Sequence, residues 1–156
     1  KFKNVWYHGD FIRISKNGSI KIYGRSDATL NPGGVRIGTA EIYRVIEKIG
    51  EISDSLVIGQ SWKDDQRIIL FLKMKKGYMF NERIMETAKQ MIKKGCSPRH
   101  VPEIVLETKE IPYTMNGKKI EIAVKKVIEG NVVDNTDSLQ NPKALDYYKN
   151  ISELCT

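Results

Sequence analysis

The chain is 156 residues long, 40% apolar and 29% charged, with 26 Lys+Arg against 19 Asp+Glu and a formal net charge of +7. That length and apolar content suit one ordinary domain, or one small domain with fragments of another. No stretch approaches the roughly 20 apolar residues of a membrane span, and Cys96 and Cys155 have neither metal-ligand nor disulfide-framework spacing, which points to free thiols in a reducing, cytoplasmic setting.

The positive charge is spread along the chain as pairs (Lys75-Lys76, Lys93-Lys94, Lys118-Lys119, Lys125-Lys126) with no aromatic interleaving. A solvated lysine-rich surface, or a site for a polyanionic small molecule such as a nucleotide, fits this better than a nucleic-acid surface. There is no initiator methionine and no signal-peptide pattern, and Lys1-Phe2-Lys3-Asn4 reads as an entry partway into a strand of a longer protein.

In chain order, Phe11–Ile14 and Ser19–Tyr23 alternate apolar and polar about Asn17-Gly18, a strong hairpin signal. Gly24-Arg25-Ser26-Asp27 has too few apolar residues for core and marks a boundary. A loop punctuated by Asn31-Pro32-Gly33-Gly34 follows. A helix is then expected from Thr39 to Ile49, with Thr39 as N-cap, Glu41 in the first turn, Ile42, Val45, Ile46 and Ile49 on one face and Gly50 closing it. Two strands are expected at Ser55–Gly59 and Arg67–Lys73, the unbroken Ile68-Ile69-Leu70-Phe71-Leu72 implying burial on both faces. A second helix covers Asn81 to Lys94, a third strand Ile104–Leu106, and a third helix, with Ile120, Val124, Val127 and Ile128 at helical spacing, follows Lys118. From Asn131 the chain turns polar and ends in a short helix near residues 142–154. The fold class is therefore α+β: a small three-stranded sheet packed with about three helices, preceded by a β-hairpin that belongs to the end of a larger domain.

The most informative segment is Pro112-Tyr113-Thr114-Met115-Asn116-Gly117-Lys118. Pro112 stiffens the entry, Asn116-Gly117 tolerates a tight turn, and Lys118 supplies a compact cation on a flexible stem just before a helix. Read alone it is either an ordinary loop or a device that delivers one mobile positive charge to a phosphate.

Three segments in this order resemble the adenylate-forming acyl-CoA synthetases: Trp6-Tyr7-His8-Gly9-Asp10; Gly24-Arg25-Ser26-Asp27 continuing to Gly34-Val35-Arg36-Ile37-Gly38-Thr39-Ala40-Glu41; and the Pro112–Lys118 loop. Residues 28–34 and Ser97-Pro98-Arg99-His100-Val101-Pro102 resemble the acetoacetyl-CoA synthetase subgroup in particular. The resemblance implies an acid-thiol ligase that makes an acyl-adenylate from a carboxylate and ATP, then rotates a small C-terminal domain and transfers the acyl group to coenzyme A. On that reading, residues 1–26 are the terminal strands of the large domain, 27–131 the mobile lid and 132–156 a polar tail. The phosphate loop and acyl pocket would lie in the missing large N-terminal domain, so this fragment alone would not turn over.

The resemblance also implies roles. Asp10 would accept hydrogen bonds from both vicinal hydroxyls of the nucleotide ribose, and Arg25 would contact the ribose region. Asp27 would be the hinge. The backbone at Gly34 would line the channel for the pantetheine arm of CoA, Arg36 would meet phosphate in the thiol-transfer conformation, and Lys93 would approach the CoA nucleotide. Lys118 would bridge the acyl carboxylate and the ATP α-phosphate, whereas Lys119 is expected to be solvated. His8 stands where the family has Thr or Ser; Glu41 reads as a helix-start charge and His100 as structural. Partners would be acetoacetate, ATP/AMP and CoA, with Mg²⁺ held mainly through the nucleotide phosphates and the absent domain, no metal site of the chain's own, no nucleic acid and no membrane. The alternatives are a sibling enzyme for acetate, propionate or a longer acid, a basic nucleic-acid-binding module, or a stand-alone partner-binding domain.

Overall fold

The computed structural model describes residues 4–5, 9–25, 28–134 and 136–155. The expected hinge residue Asp27, and His8, lie outside them. The α+β expectation holds. Strands β1 (Asp10–Ile14) and β2 (Ile20–Arg25) form the hairpin about Asn17-Gly18, where Gly18 adopts φ +80°.

The rest is built on a three-stranded mixed sheet in the order β3-β4-β5. Strands β3 (Ile52–Trp62) and β4 (Asp65–Met74) are antiparallel and longer than their apolar runs suggested, because they continue to a two-residue turn. That turn is Lys63-Asp64, both at positive φ (45° and 64°), a hairpin conformation usually signalled by Asn or Gly. Strand β5 (Ile104–Glu107) runs parallel to β4, and the crossover that parallel pairing requires contains helix α2 (Glu82–Gly95).

Successive residues of a strand face opposite sides, so the apolar run of β4 feeds two cores. Ile68, Leu70 and Leu72 enter one core with α1 (Thr39–Ile46) and α2, including Ile42, Ile46, Ile84 and Ile92. Ile69 and Phe71 enter a second with α3 (Glu121–Ile128), including Ala123 and Val124. Gly38, not Thr39, occupies the N-cap of α1, and the helix ends at Ile46 before Gly50. Asn81 caps α2, its side chain accepting from Ile84 N–H at 3.0 Å. At the other end of α2 a Cβ on Gly95 would sit 2.8 Å from Val45 Cγ2, so glycine lets α1 and α2 approach closely.

The C-terminal segment carries more core than its polar start at Asp134-Asn135-Thr136-Asp137-Ser138 suggests. Leu139, Leu145, Tyr148 and Leu154 are buried in the second core, and Tyr148 meets Phe71 edge-on at 4.8 Å between centroids while its hydroxyl donates to Glu110 O at 2.9 Å. Buried Arg67 donates to Gln60 Oε1 at 2.8 Å and Leu154 O at 2.9 Å and stacks on Trp62 at 3.8 Å, tying the chain's end to the sheet. No helix among the described residues is long and apolar enough to cross a membrane.

Candidate functional site

The connection from β5 to α3 closes into a narrow loop. Tyr113 bridges Lys119, Thr114 N–H donates to Lys118 O and Gly117 N–H to Thr114 O, each at 2.9 Å, and Lys118 N–H donates to Thr114 Oγ1 at 3.1 Å. Gly117 takes φ +70°, the left-handed conformation that glycine adopts without penalty.

This geometry sends the two adjacent lysines to opposite sides. Lys118 is exposed, and its ammonium has no hydrogen bond or ion pair among the described residues. Lys119 turns inward: its Nζ lies 2.8 Å from Asp54 Oδ1, donates to Ser55 O at 2.6 Å and sits 4.2 Å above the Tyr43 ring. The expectation of a solvated Lys119 is therefore wrong, because the bridge to Tyr113 faces its side chain to the sheet. The second Asp54 oxygen accepts from the Tyr113 hydroxyl at 2.6 Å. Next to it, Tyr43 donates to Glu121 Oε1 at 3.0 Å and accepts from Val57 N–H at 3.1 Å. Burial, with the Glu121 charge adding to it, pushes the Tyr43 phenol well above its usual range.

Lys118 borders a cleft of about 240 Å³ with Ala28, Thr114, Glu121 and Ile122. A smaller depression of about 30 Å³ shares Ala28, Glu121 and Ile122 and reaches Gln66. The residue immediately after the expected hinge thus lies beside the lysine.

Gln66 leads to the second loop. Its Oε1 accepts from Asn31 N–H at 2.6 Å, and both oxygens of Asp65 accept from Gly33 N–H at 2.9 Å. Gly33 and Gly34 take φ +56° and +74°; a Cβ on Gly34 would meet nothing within 4 Å, so its backbone is presented to open space. The Arg99 guanidinium lies 4.0 Å from where a Gly33 Cβ would be. Arg36 follows this turn and is exposed.

Of the remaining candidates, Asp10 and Arg25 are cross-strand partners in the hairpin register; the Arg25 side chain is outside the described residues. Lys93 is exposed on the last turn of α2. That end of α2 borders a larger cavity of about 570 Å³, lined by Glu41, Arg44, Lys48, Cys96 and His100, which shares no residue with the Lys118 cleft. There His100 Nε2 lies 2.8 Å from Glu41 Oε2 and Nδ1 2.9 Å from Ser97 Oγ, so Glu41 is an anchor for His100 as well as a helix-start charge. Burial raises the Cys96 thiol. The described residues hold no cluster of three or more metal-ligating side chains.

Sequence reasoning missed Asp54 and Asp65. Neither belongs to a recognisable motif, and the loop residues they hold, Gly33 and Tyr113, lie 32 and 59 residues away along the chain.

No family model matches the chain. It is 48% identical over 154 residues to an acetoacetyl-coenzyme A synthetase of Rhizobium meliloti (strain 1021), covering 99% of this chain and 24% of that protein. It is 51% identical over 156 residues to the acetoacetyl-CoA synthetase of Xenopus tropicalis, covering 99% of this chain and 23% of that one. The chain thus spans about a quarter of the length of the curated relatives it matches. Among solved structures, acetoacetyl-CoA synthetase from Streptomyces lividans superposes with a TM-score of 0.85 at 37% identity, covering 97% of this chain and 23% of that one. The fold is shared more widely: an anthranilate CoA ligase in complex with anthranoyl-AMP superposes over 72% of this chain and 22% of its own with a TM-score of 0.65 at 20% identity. By sequence and by fold, the chain is similar to about a quarter of the length of acetoacetyl-CoA synthetases.

Proposed function

We propose that the chain is the mobile C-terminal lid, with the last strands of the large domain, of an AMP-forming acetoacetate-CoA ligase. The observation that carries the reading is Lys118: a cation with no partner among the described residues, on a loop held by internal hydrogen bonds, beside the residue that follows the expected hinge. As the carboxylate oxygen attacks the α-phosphorus of ATP, negative charge concentrates on the oxygens around phosphorus. A preorganised ammonium lowers that barrier selectively, because it interacts more strongly there than with the separated substrates. After rotation about Asp27, the Gly34 backbone would line the pantetheine channel, and Arg36 and Lys93 would meet phosphates of the nucleotide parts. Asp10 and Arg25 would hold the ribose. Mg²⁺ would be carried by the nucleotide phosphates and by protein outside this chain.

The test is Lys118→Ala in the full-length protein, assayed separately for ATP–pyrophosphate exchange with acetoacetate and for thiolation of supplied acyl-adenylate. Exchange should fall by about 10²–10³, the cost of removing one such stabilising group, while thiolation persists. Equal losses in both would defeat the assignment. Running the exchange assay with acetate and propionate tests the choice of acid.

A further inference from the structure

We propose that Asp54 and Asp65, at opposite ends of the β3–β4 hairpin, are positioning residues, each holding the loop used in one of the two half-reactions. The inference rests on the roles proposed above for Lys118 and Gly34.

Asp54 closes the adenylation loop like a buckle. Its two carboxylate oxygens bind the two residues that bridge at the loop's base: Oδ2 accepts from the Tyr113 hydroxyl at 2.6 Å and Oδ1 pairs with Lys119 Nζ at 2.8 Å. Lys118 is one residue from the second of these, so the position of its backbone is set by that ion pair. The Lys119 and Asp54 side chains are only 19% and 21% exposed, so the pair is little screened and holds one geometry. Asn141 Oδ1 accepts from Tyr113 N–H at 2.8 Å, fixing the same residue from the C-terminal segment.

Asp65 acts on the other loop. Gly33 and Gly34 are exposed, and both hold left-handed conformations that a free glycine pair leaves readily. The Asp65 carboxylate, accepting Gly33 N–H with both oxygens, and Gln66, accepting Asn31 N–H, pin two of the four residues from Asn31 to Gly34. An antiparallel hairpin whose ladder runs unbroken from Asp54↔Lys73 to Trp62↔Asp65 gives both carboxylates one rigid mount. The carboxylate oxygens of both aspartates are engaged by these loop residues, so each acts through a neighbour.

The experiment is a double dissociation in the full-length protein. Asp54→Asn turns an amide N–H₂ toward Lys119 or Tyr113, both donors, and opens the buckle; Asp65→Ala removes both acceptors of Gly33 N–H. A displacement of about 1 Å of a reacting group costs as much as 10²-fold. Asp54→Asn should lower kcat of pyrophosphate exchange by about that factor and spare thiolation. Asp65→Ala should do the reverse, with a raised KM for CoA. Amide hydrogen exchange should quicken at residues 113–119 in the first and at 31–34 in the second. If Asp54→Asn does not fold, Tyr113→Phe removes one arm of the buckle with the ion pair intact and should weaken exchange in the same direction. Equal losses of both half-reactions in each variant, or unchanged amide exchange in the named loops, overturn the proposal. Lys118→Ala and Gly34→Leu run alongside: if each loses its own half-reaction while the aspartate variants lose neither, the positioning roles fall and the site reading stands; if Lys118→Ala keeps exchange, the site reading itself falls.

Discussion

Replacing each of the adjacent lysines by methionine separates chemistry from architecture at a single peptide bond. Methionine keeps an unbranched apolar stem of similar reach and deletes only the charge. At Lys119 the charge lies 2.8 Å from Asp54, with 19% and 21% of the two side chains exposed, and it also donates to Ser55 O. Exposed pairs contribute about 0–1 kcal/mol, and breaking a fully buried one costs about 3–5 kcal/mol. A pair mostly withdrawn from water belongs between these limits, so Lys119→Met should cost about 2–3 kcal/mol. At roughly 2–4 °C per kcal/mol for a chain of this size, that is about 4–12 °C in Tm. Lys118, exposed and unpaired among the described residues, should change stability by no more than about 0.5 kcal/mol. Native-state hydrogen exchange of the β3 and β4 amides, read in the intact protein, measures both. Equal costs for the two variants would refute the opposed orientations from which the reading of Lys118 starts.

Gly34→Leu should stop thiolation while adenylation continues; the open space around its Cβ position limits the internal cost to the left-handed backbone, about 1–2 kcal/mol, and normal acyl-CoA formation would remove the channel role. Tyr148→Phe should cost about 0.5–1 kcal/mol, because Glu110 O keeps Thr108 Oγ1 as a donor at 3.2 Å, whereas Tyr148→Ala should cost about 3–5 kcal/mol through lost contact with Phe71; denaturant melts that show less than about 1 kcal/mol for the alanine would detach the C-terminal segment from the core. The phenols of Tyr43, Tyr113 and Tyr148 are all raised, chiefly by burial. Unfolded tyrosine loses its proton near pH 10, so their contribution is whole below that pH, and above it the unfolded state alone releases protons and stability falls, by about 1.4 kcal/mol per pH unit for each of Tyr43 and Tyr148 and by less for the half-buried Tyr113, which water screens. Tyrosinate absorbance and circular dichroism followed between pH 9 and 12 should show these three ionising only as the fold is lost; complete titration with an intact spectrum would contradict their burial.

The fold was legible wherever one physical signal dominated a segment. The unbroken apolar run Ile68–Leu72 announced a strand buried on both faces, and it joins two cores. Asn17-Gly18 announced its hairpin. What failed were features whose cause is long-range. The turn at Lys63-Asp64 carries no glycine or asparagine, so β3 and β4 were cut short at the last apolar residues. The C-terminal segment opens on a polar stretch, Asp134-Asn135-Thr136-Asp137-Ser138, yet Leu139, Leu145, Tyr148 and Leu154 are spaced so that short turns deliver all of them to one face of the sheet; turns of that kind have no period to detect.

The two lysines show the same limit at the site. A motif names the order of residues, Asn116-Gly117-Lys118-Lys119, and cannot say which side chain faces the sheet. That is decided by Asp54, fifty-nine residues from Tyr113, which draws one ammonium inward and by doing so leaves the other on the solvent side. A carboxylate beside Lys118 would pair with it and reduce the charge it offers to phosphate. Here the carboxylates near the loop are already engaged: Asp54 by Lys119 and Tyr113, and Glu121 by the Tyr43 hydroxyl. That the cation at the loop's tip is unpaired among the described residues is therefore a consequence of how the acids beneath it are occupied, and Asp54→Asn, which releases Lys119, should disturb Lys118 although the two residues never touch.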